Sequence, residues 1–223
     1  MTLAVSLRRQ KITPGSSSSL IRQSGGEAVF IEADISRAEA VEALIQQTVE
    51  HFGRLDCACN NAGIESETIP IVECSEENWD RTLNINLKGV WLCLKYEIAQ
   101  MLKQGSGSIV NIASTMGLVA FKSIAPYVAS KHGVIGLTKT AALEYATSGI
   151  RVNAVCPGNT HTPIIDRVMA ERPEIIETLI QSTPVGRLAK PKEIADAVIW
   201  LSSDAASYVT GLSMVVDDGY ILQ

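Results

Sequence analysis

The sequence predicts an α/β protein whose parallel sheet is covered by helices on both faces, and three observations carry that prediction. Short apolar runs stand at Ala28–Ile31, Leu55–Asn60, Ser108–Ala113, Ile150–Cys156 and Met214–Val216, each strand-sized. Helical periodicity fills the intervals, and strands that alternate with helices pair in parallel and bury both faces. With 223 residues, 46% of them hydrophobic, the chain can bury one substantial core, and no linker divides it in two. A single domain over 1–223 is expected, with residues 1–24 irregular or rearranged. No internal repeat is evident.

Taken in order, Pro14, Gly15 and the serines Ser16 to Ser19 disfavour a helix and read as a flexible surface loop rather than a phosphate site. Arg37 to Phe52 sets Val41, Leu44, Ile45, Thr48 and Val49 on one stripe, a helix for which Ser36 is the expected N-cap. Leu55 to Asn60 follows as a strand, then a long helix over Leu87 to Gln104. Gly107 to Ser114 reads as a buried strand ending in a hydroxyl, and strand ends are where ligands meet open α/β sheets. Tyr127 to Thr147 is a second long helix. Its residues Ile135, Leu137, Ala141, Ala142 and Leu143 give apolar coverage broad enough for burial on two sides. Beyond the strand at 150–156, Thr162 to Gln181 has a helical pattern of mixed apolar content.

Composition excludes several classes. The formal net charge of -5, the pI near 5.3 and the scatter of Lys and Arg argue against a nucleic-acid surface. No run approaches eighteen apolar residues and Met1 to Arg9 does not make a signal peptide, so no membrane segment is expected and the cytoplasm is the default. Cys57, Cys59, Cys74, Cys93 and Cys156 lack the spacing of a zinc site or disulfide framework and read as reduced; Cys57 and Cys59 share one face of a strand and read as small buried residues in preference to a redox or metal pair. His51, His132 and His161 form no ligand cluster, so no metal is expected. His132 reads as structural, while His161 lies in a loop where contact with substrate is conceivable.

The chemistry is carried by Tyr127 and Lys131, four residues apart and so on one helical face, with Ser114 thirteen residues upstream and Asn86 further back. A phenol titrates near 10 and is a poor acid–base group at neutrality unless a neighbouring cation favours the phenolate. Lys131 is placed to supply that cation. Taken alone, the Tyr-x-x-x-Lys spacing arises by chance on solvated helices.

Asn60-Asn-Ala-Gly63, Asn86 within Asn84-Ile-Asn-Leu-Lys-Gly89, Ser114, Tyr127 with Lys131, and Pro157-Gly158 occur in one order. With Asp34-Ile-Ser, Asp56 and Val209 to Asp217, the chain resembles the short-chain dehydrogenase/reductase family from about Gly25 to its end. The resemblance implies a doubly wound, Rossmann-like sheet and an NAD(P)-dependent oxidoreductase interconverting a secondary alcohol and a ketone. By the same resemblance Tyr127 is the general acid/base, and Lys131 lowers its pKa and hydrogen-bonds the nicotinamide ribose. Ser114 steadies the reacting carbonyl. Asn86 kinks its helix and holds a water that links Lys131 to solvent. Asp34 and Ile35 contact the adenine; Asn60, Ala62 and Gly63 lie under the adenosine ribose; Pro157, Gly158 and Thr162 meet the carboxamide and phosphates. Residues 159–185 correspond to a substrate lid, and their apolar content suggests a small or moderately apolar alcohol. The two long helices build subunit contacts in this family, implying a homotetramer or homodimer. Asp218 stands where the family commonly has glycine.

The family opens with a strand and a Gly-rich turn that holds the cofactor pyrophosphate, and no such turn precedes Asp34 here. Thr2 to Arg9 resembles the family's second strand, so the first strand and helix are expected to be missing. Such a loss leaves a gap of about 10 Å in the sheet, which Thr2 to Leu7 is expected to fill. A catalytically silent binding or structural subunit is the alternative reading. Arg8 and Arg9, after that strand, lean towards NADP without deciding between NAD and NADP.

Overall fold

The computed structural model describes residues 3–5, 16–162, 165 and 173–223. Among these residues, five strands form one fully parallel sheet in sequence order: β1 (Leu3–Val5), β2 (Cys57–Asn60), β3 (Gly107–Ile112), β4 (Ile150–Pro157) and β5 (Ser213–Val216). The helices are α1 (Ser16–Gln23), α2 (Ala38–Phe52), α3 (Glu76–Leu83), α4 (Gly89–Gln104), α5 (Ala125–Tyr145), α6 (Pro173–Gln181) and α7 (Pro191–Ser202).

Burial on both faces of the pleat explains why the strands read as mainly apolar runs. Ala58, Ile109, Val152 and Ala154 pack on one face against Val90, Leu94 and Ile98 of α4 and Val134 and Ala141 of α5. Val110 and Val155 point the other way, onto Ala197, Val198 and Leu201 of α7. Each fully buried valine, leucine or isoleucine among them contributes about 1.5–3 kcal/mol relative to exposure, so both faces hold the sheet. A third cluster joins Ile35, Val41, Leu92 and Cys93 at the α2–α4 contact. It depends on Gly89: a Cβ there would lie 2.7 Å from Ile35 Cδ1, and only glycine admits the isoleucine so deeply.

Three local expectations need correction. Ala28–Ile31 forms no strand; residues 26–34 run as irregular backbone. A strand needs a ladder partner, and none lies alongside among the described residues, leaving Phe30 44% exposed. The serine run, expected as a loop, is the first turn of α1, although Pro14 and Gly15 lie outside the described residues. First-turn amides have no intrahelical partner in any case, so serines cost little there. The helix end is closed by Gly25 at φ 82°, with the Gly26 amide donating to the Ile21 carbonyl at 3.0 Å, and Arg22 then grips the Ala28 carbonyl. Ser36 does not cap α2, whose N-cap is Arg37. Its amide and hydroxyl donate instead to Asp34 Oδ1, at 3.1 and 2.7 Å. That local turn removes the hydroxyl from the helix end.

Of the segment Thr2 to Leu7 expected to fill the gap, only Leu3–Val5 is described. Leu3–Val5 runs parallel to Cys57–Cys59, in the slot beside β2. Among the described residues no strand lies on its outer side.

Candidate active site

The expected site residues converge at the carboxyl ends of β2, β3 and β4, the edge at which doubly wound sheets take ligands. Asn60 ends β2, Ser114 follows β3, and Pro157 ends β4. Helix α5 runs back across this edge with Tyr127 in its first turn and Lys131 one turn on.

Lys131 is 7% exposed and donates from Nζ to the Ile112 carbonyl at 2.9 Å, which uses one of its three hydrogens. Its Nζ lies 5.6 Å from the Tyr127 ring centroid. Burial lowers the ammonium to about 8, against weak support from Cys156. The Tyr127 phenol departs from the sequence-based expectation. Burial raises its pKa, the neighbouring Ser114 hydroxyl opposes the rise, and Glu65 adds to it. Lys131 stands over the ring and on the Ile112 carbonyl, and in this arrangement it does not offset the desolvation of the phenolate. Ser114 is buried, and its Oγ accepts from the Met116 amide at 3.1 Å, which opens a tight turn at Thr115–Gly117. That turn presses on α5 because Gly117 lacks a side chain; a Cβ would lie 2.8 Å from the Lys131 carbonyl.

Asn86 lies in a π-helical segment, Asn84–Lys88, between α3 and α4, a local widening of the kind found at functional sites. Its Oδ1 accepts from the Ile64 amide and its Nδ2 donates to the Ile64 carbonyl, both at 2.8 Å, with a weaker bond to Ser130 Oγ at 3.3 Å. This clamp fixes the backbone after Gly63. A Cβ on Gly63 would sit 3.3 Å from Asn86 Oδ1 and 3.8 Å from Lys131 Nζ, so the missing side chain leaves a polar cradle with lysine hydrogens to offer. That cradle suits a hydroxyl-rich group such as a ribose.

The remaining candidates divide. Gly158 closes on the tail: its amide donates to the Val216 carbonyl at 3.0 Å, and a Cβ would meet that of Asp217 at 2.7 Å. Asn159, which sequence reasoning passed over, ties this loop to the end of α6 through Leu179, Ser182 and Thr183. Thr162 Oγ1 accepts from the Ile165 amide at 3.4 Å. Ile35 is buried in the core and Asp34 is bonded to Ser36, so Ile35 has only backbone left for a ligand. The Asn60 side chain turns under the sheet edge onto Glu97 and Asn111. Ala62 packs against the Ile35 cluster. Arg8, Arg9 and residues 163–164 and 166–172 of the expected lid lie outside the described residues.

All five cysteines are free, and no metal-ligand cluster occurs among the described residues. No described helix is long and apolar enough to cross a membrane.

Comparison with known proteins identifies the family. The family model described as enoyl-(acyl carrier protein) reductase matches residues 2–221. A short chain dehydrogenase/reductase of Aspergillus oryzae is 46% identical over 202 residues, covering 90% of this chain and 77% of that protein. An A-factor type gamma-butyrolactone 1'-reductase of Streptomyces virginiae is 43% identical over 221 residues, 99% of this chain and 86% of that protein. An actinorhodin polyketide ketoreductase variant solved with NADPH superposes with a TM-score of 0.91 at 34% identity, covering 97% of this chain and 86% of that one. With a matching family model, close relatives and this parallel sheet, the chain belongs to the short-chain dehydrogenase/reductase family.

Proposed function

We propose that this protein is an NAD(P)-dependent oxidoreductase that interconverts a secondary alcohol and a ketone. The observation that carries the reading is the buried Lys131 ammonium, stacked over Tyr127 beside Ser114 at the sheet's ligand edge. A bound nicotinamide would supply a hydride to the carbonyl carbon when reduced and would accept one from the alcohol carbon when oxidised. Tyr127 gives its phenolic proton to the substrate oxygen during reduction and takes it back during oxidation. Ser114 holds that oxygen. Lys131 directs its remaining hydrogens to the nicotinamide ribose and to the Tyr127 oxygen, whose anionic form it favours once drawn against it. Asn86 fixes the Ile64 backbone, and by the family resemblance it would hold a water through which Lys131 exchanges its proton with solvent.

Asn60, Ala62 and Gly63 would lie under the adenosine ribose, Asp34 and Ile35 beside the adenine, and Pro157, Gly158 and Thr162 against the carboxamide and phosphates. By the family resemblance, residues 159–185, of which 163–164 and 166–172 lie outside the described residues, would correspond to a substrate cover for a small or moderately apolar alcohol. The gamma-butyrolactone reductase and the polyketide ketoreductase, both named for reductions, support this direction of chemistry. The cofactor is NAD or NADP. A cytoplasmic homodimer or homotetramer is proposed, supported by exposed Trp91 and Leu102 on α4 and Leu143 on α5.

Titration with NADH and NADPH tests the reading. Enhanced nicotinamide fluorescence with micromolar affinity supports it, and no binding at millimolar cofactor favours a silent binding subunit. Tyr127→Phe is expected to lose turnover while cofactor affinity stays largely intact; unchanged turnover refutes its role.

A further inference from the structure

Beneath the site runs a chain of buried polar side chains that the hydride chemistry does not use. Glu97 lies on the apolar stripe of α4 with Val90, Leu94 and Met101, and it is 4% exposed. Its Oε2 accepts from Asn60 Nδ2 at 3.0 Å, and the same nitrogen donates to Asn111 Oδ1 at 2.9 Å. Asn111 Nδ2 donates to Thr138 Oγ1 at 2.9 Å, and Thr138 donates to the Val134 carbonyl at 2.8 Å. Both hydrogens of Asn60 Nδ2 are thereby engaged, while Asn60 Oδ1 is buried without a partner among the described residues.

The chain links four elements near the catalytic groups. Asn60 is the last residue of β2 and opens the Asn-Asn-Ala-Gly63 turn that Asn86 clamps. Asn111 on β3 precedes Ile112, whose carbonyl holds Lys131. Thr138 stands two turns beyond Lys131 on the same face of α5, so β3 grips that helix at two points. A carboxyl so deeply placed is costly, and apolar packing of the same volume would serve stability as well or better. A geometric role accounts for its presence.

We propose that Glu97 is a positioning residue for the active site: through Asn60, Asn111 and Thr138 it sets how the exits of β2 and β3 meet the helix that carries Tyr127 and Lys131. Its consequence for cofactor binding rests on the oxidoreductase reading; its consequence for α5 does not. Burial holds the Glu97 carboxyl up at about 7, with the Asn60 bond opposing. The titratable groups that face it among the described residues are the thiols of Cys59 and Cys93, both raised by burial and by the Glu97 charge. Neither supplies a counter-charge, and β3 and α5 present the neutral Asn111 and Thr138.

The test compares Glu97→Leu, Glu97→Gln and Thr138→Val by hydrogen exchange with mass spectrometry and by NADH and NADPH titration of the whole chain. Leucine keeps volume without an acceptor; glutamine restores an oxygen for Asn60. Exchange across residues 125–138 is expected to quicken about tenfold in Glu97→Leu and Thr138→Val, with residues 191–202 unchanged and most of the loss recovered in Glu97→Gln. Cofactor affinity is expected to fall about three- to tenfold in the first two variants and to recover in the third. Unaltered exchange in α5, equal quickening across α7, or no recovery with glutamine overturns the proposal. Where Glu97→Leu does not fold, Thr138→Val and Glu97→Gln decide by the same criteria. A wild-type chain that binds neither cofactor sinks the oxidoreductase reading, and the exchange data still decide the role of Glu97.

Discussion

Replacing Lys131 with methionine separates the energetic cost of the buried ammonium from its contacts. Burial lowers this lysine from its ordinary 10.5 to about 8. A depression of that size corresponds to about 3 kcal/mol of differential stability, at about 1.4 kcal/mol per pKa unit. The sign follows from proton counts. Between about 8 and 10.5 the unfolded chain binds the proton more tightly than the folded one, so wild-type stability rises with pH through that window and is fully penalised below it. The methionine variant has no such term. The lost bond to the Ile112 carbonyl shifts the variant by a roughly constant 1.5–3 kcal/mol, which is an offset and not a slope. Denaturant unfolding at intervals from pH 7 to 9.5 reads the difference between the two proteins. It is expected to be flat below pH 8 and to climb in favour of wild type above it, by about 2 kcal/mol at pH 9.5. For a chain of this size that corresponds to about 4–8 °C in midpoint. A difference that stays constant across the range refutes the inference that the ammonium is held in a desolvated pocket.

Glu97 gives the opposite slope: with its carboxyl raised from 4.5 to about 7, wild type is expected to lose about 3 kcal/mol as pH rises through that interval, and Glu97→Gln to lose none of it. Parallel stability curves would contradict this. Gly158→Ala drives a methyl to 2.7 Å from Asp217 Cβ and 2.9 Å from its Cα, so a loss of about 1–3 kcal/mol is expected in thermal unfolding. Asp218, at φ 56°, accepts from the Val185 amide at 2.5 Å. Asp218→Ala keeps the strained backbone and removes the acceptor, costing about 1–2 kcal/mol, whereas Asp218→Gly relieves the backbone and should cost less. An alanine variant as stable as wild type would show the bond to be idle.

What the sequence disclosed follows from which forces act locally. Strands β3 and β4 were legible because burial on both faces leaves short, mainly apolar runs, and α2 because its stripe has helical period. The run at Ala28–Ile31 is apolar too but has no partner strand among the described residues, and pairing is a tertiary fact. The serine run of α1 was misread because propensity describes helix interiors, whereas these residues occupy a first turn. Within the site, the i, i+4 spacing brought Lys131 to Tyr127 as expected, yet the direction of the tyrosine shift depended on burial, which no spacing reports. Glu97 was detectable: it falls three residues after Leu94 and four before Met101, an acid on an apolar stripe. Asn60 was noticed for its motif, but its side chain belongs to the interior.

The π-helical segment Asn84–Lys88 carries one more residue than a regular turn would, and that surplus uncouples two registers. Downstream, α4 must present Gly89 to Ile35 and Glu97 to Asn60; upstream, Asn86 must face Ile64. In a uniform helix each residue advances about 100°, so excising a single position from this segment would leave α4 seated while swinging the Asn86 amide away from the Ile64 backbone. A one-residue deletion there is thus a route to a chain that keeps its core and loses its clamp.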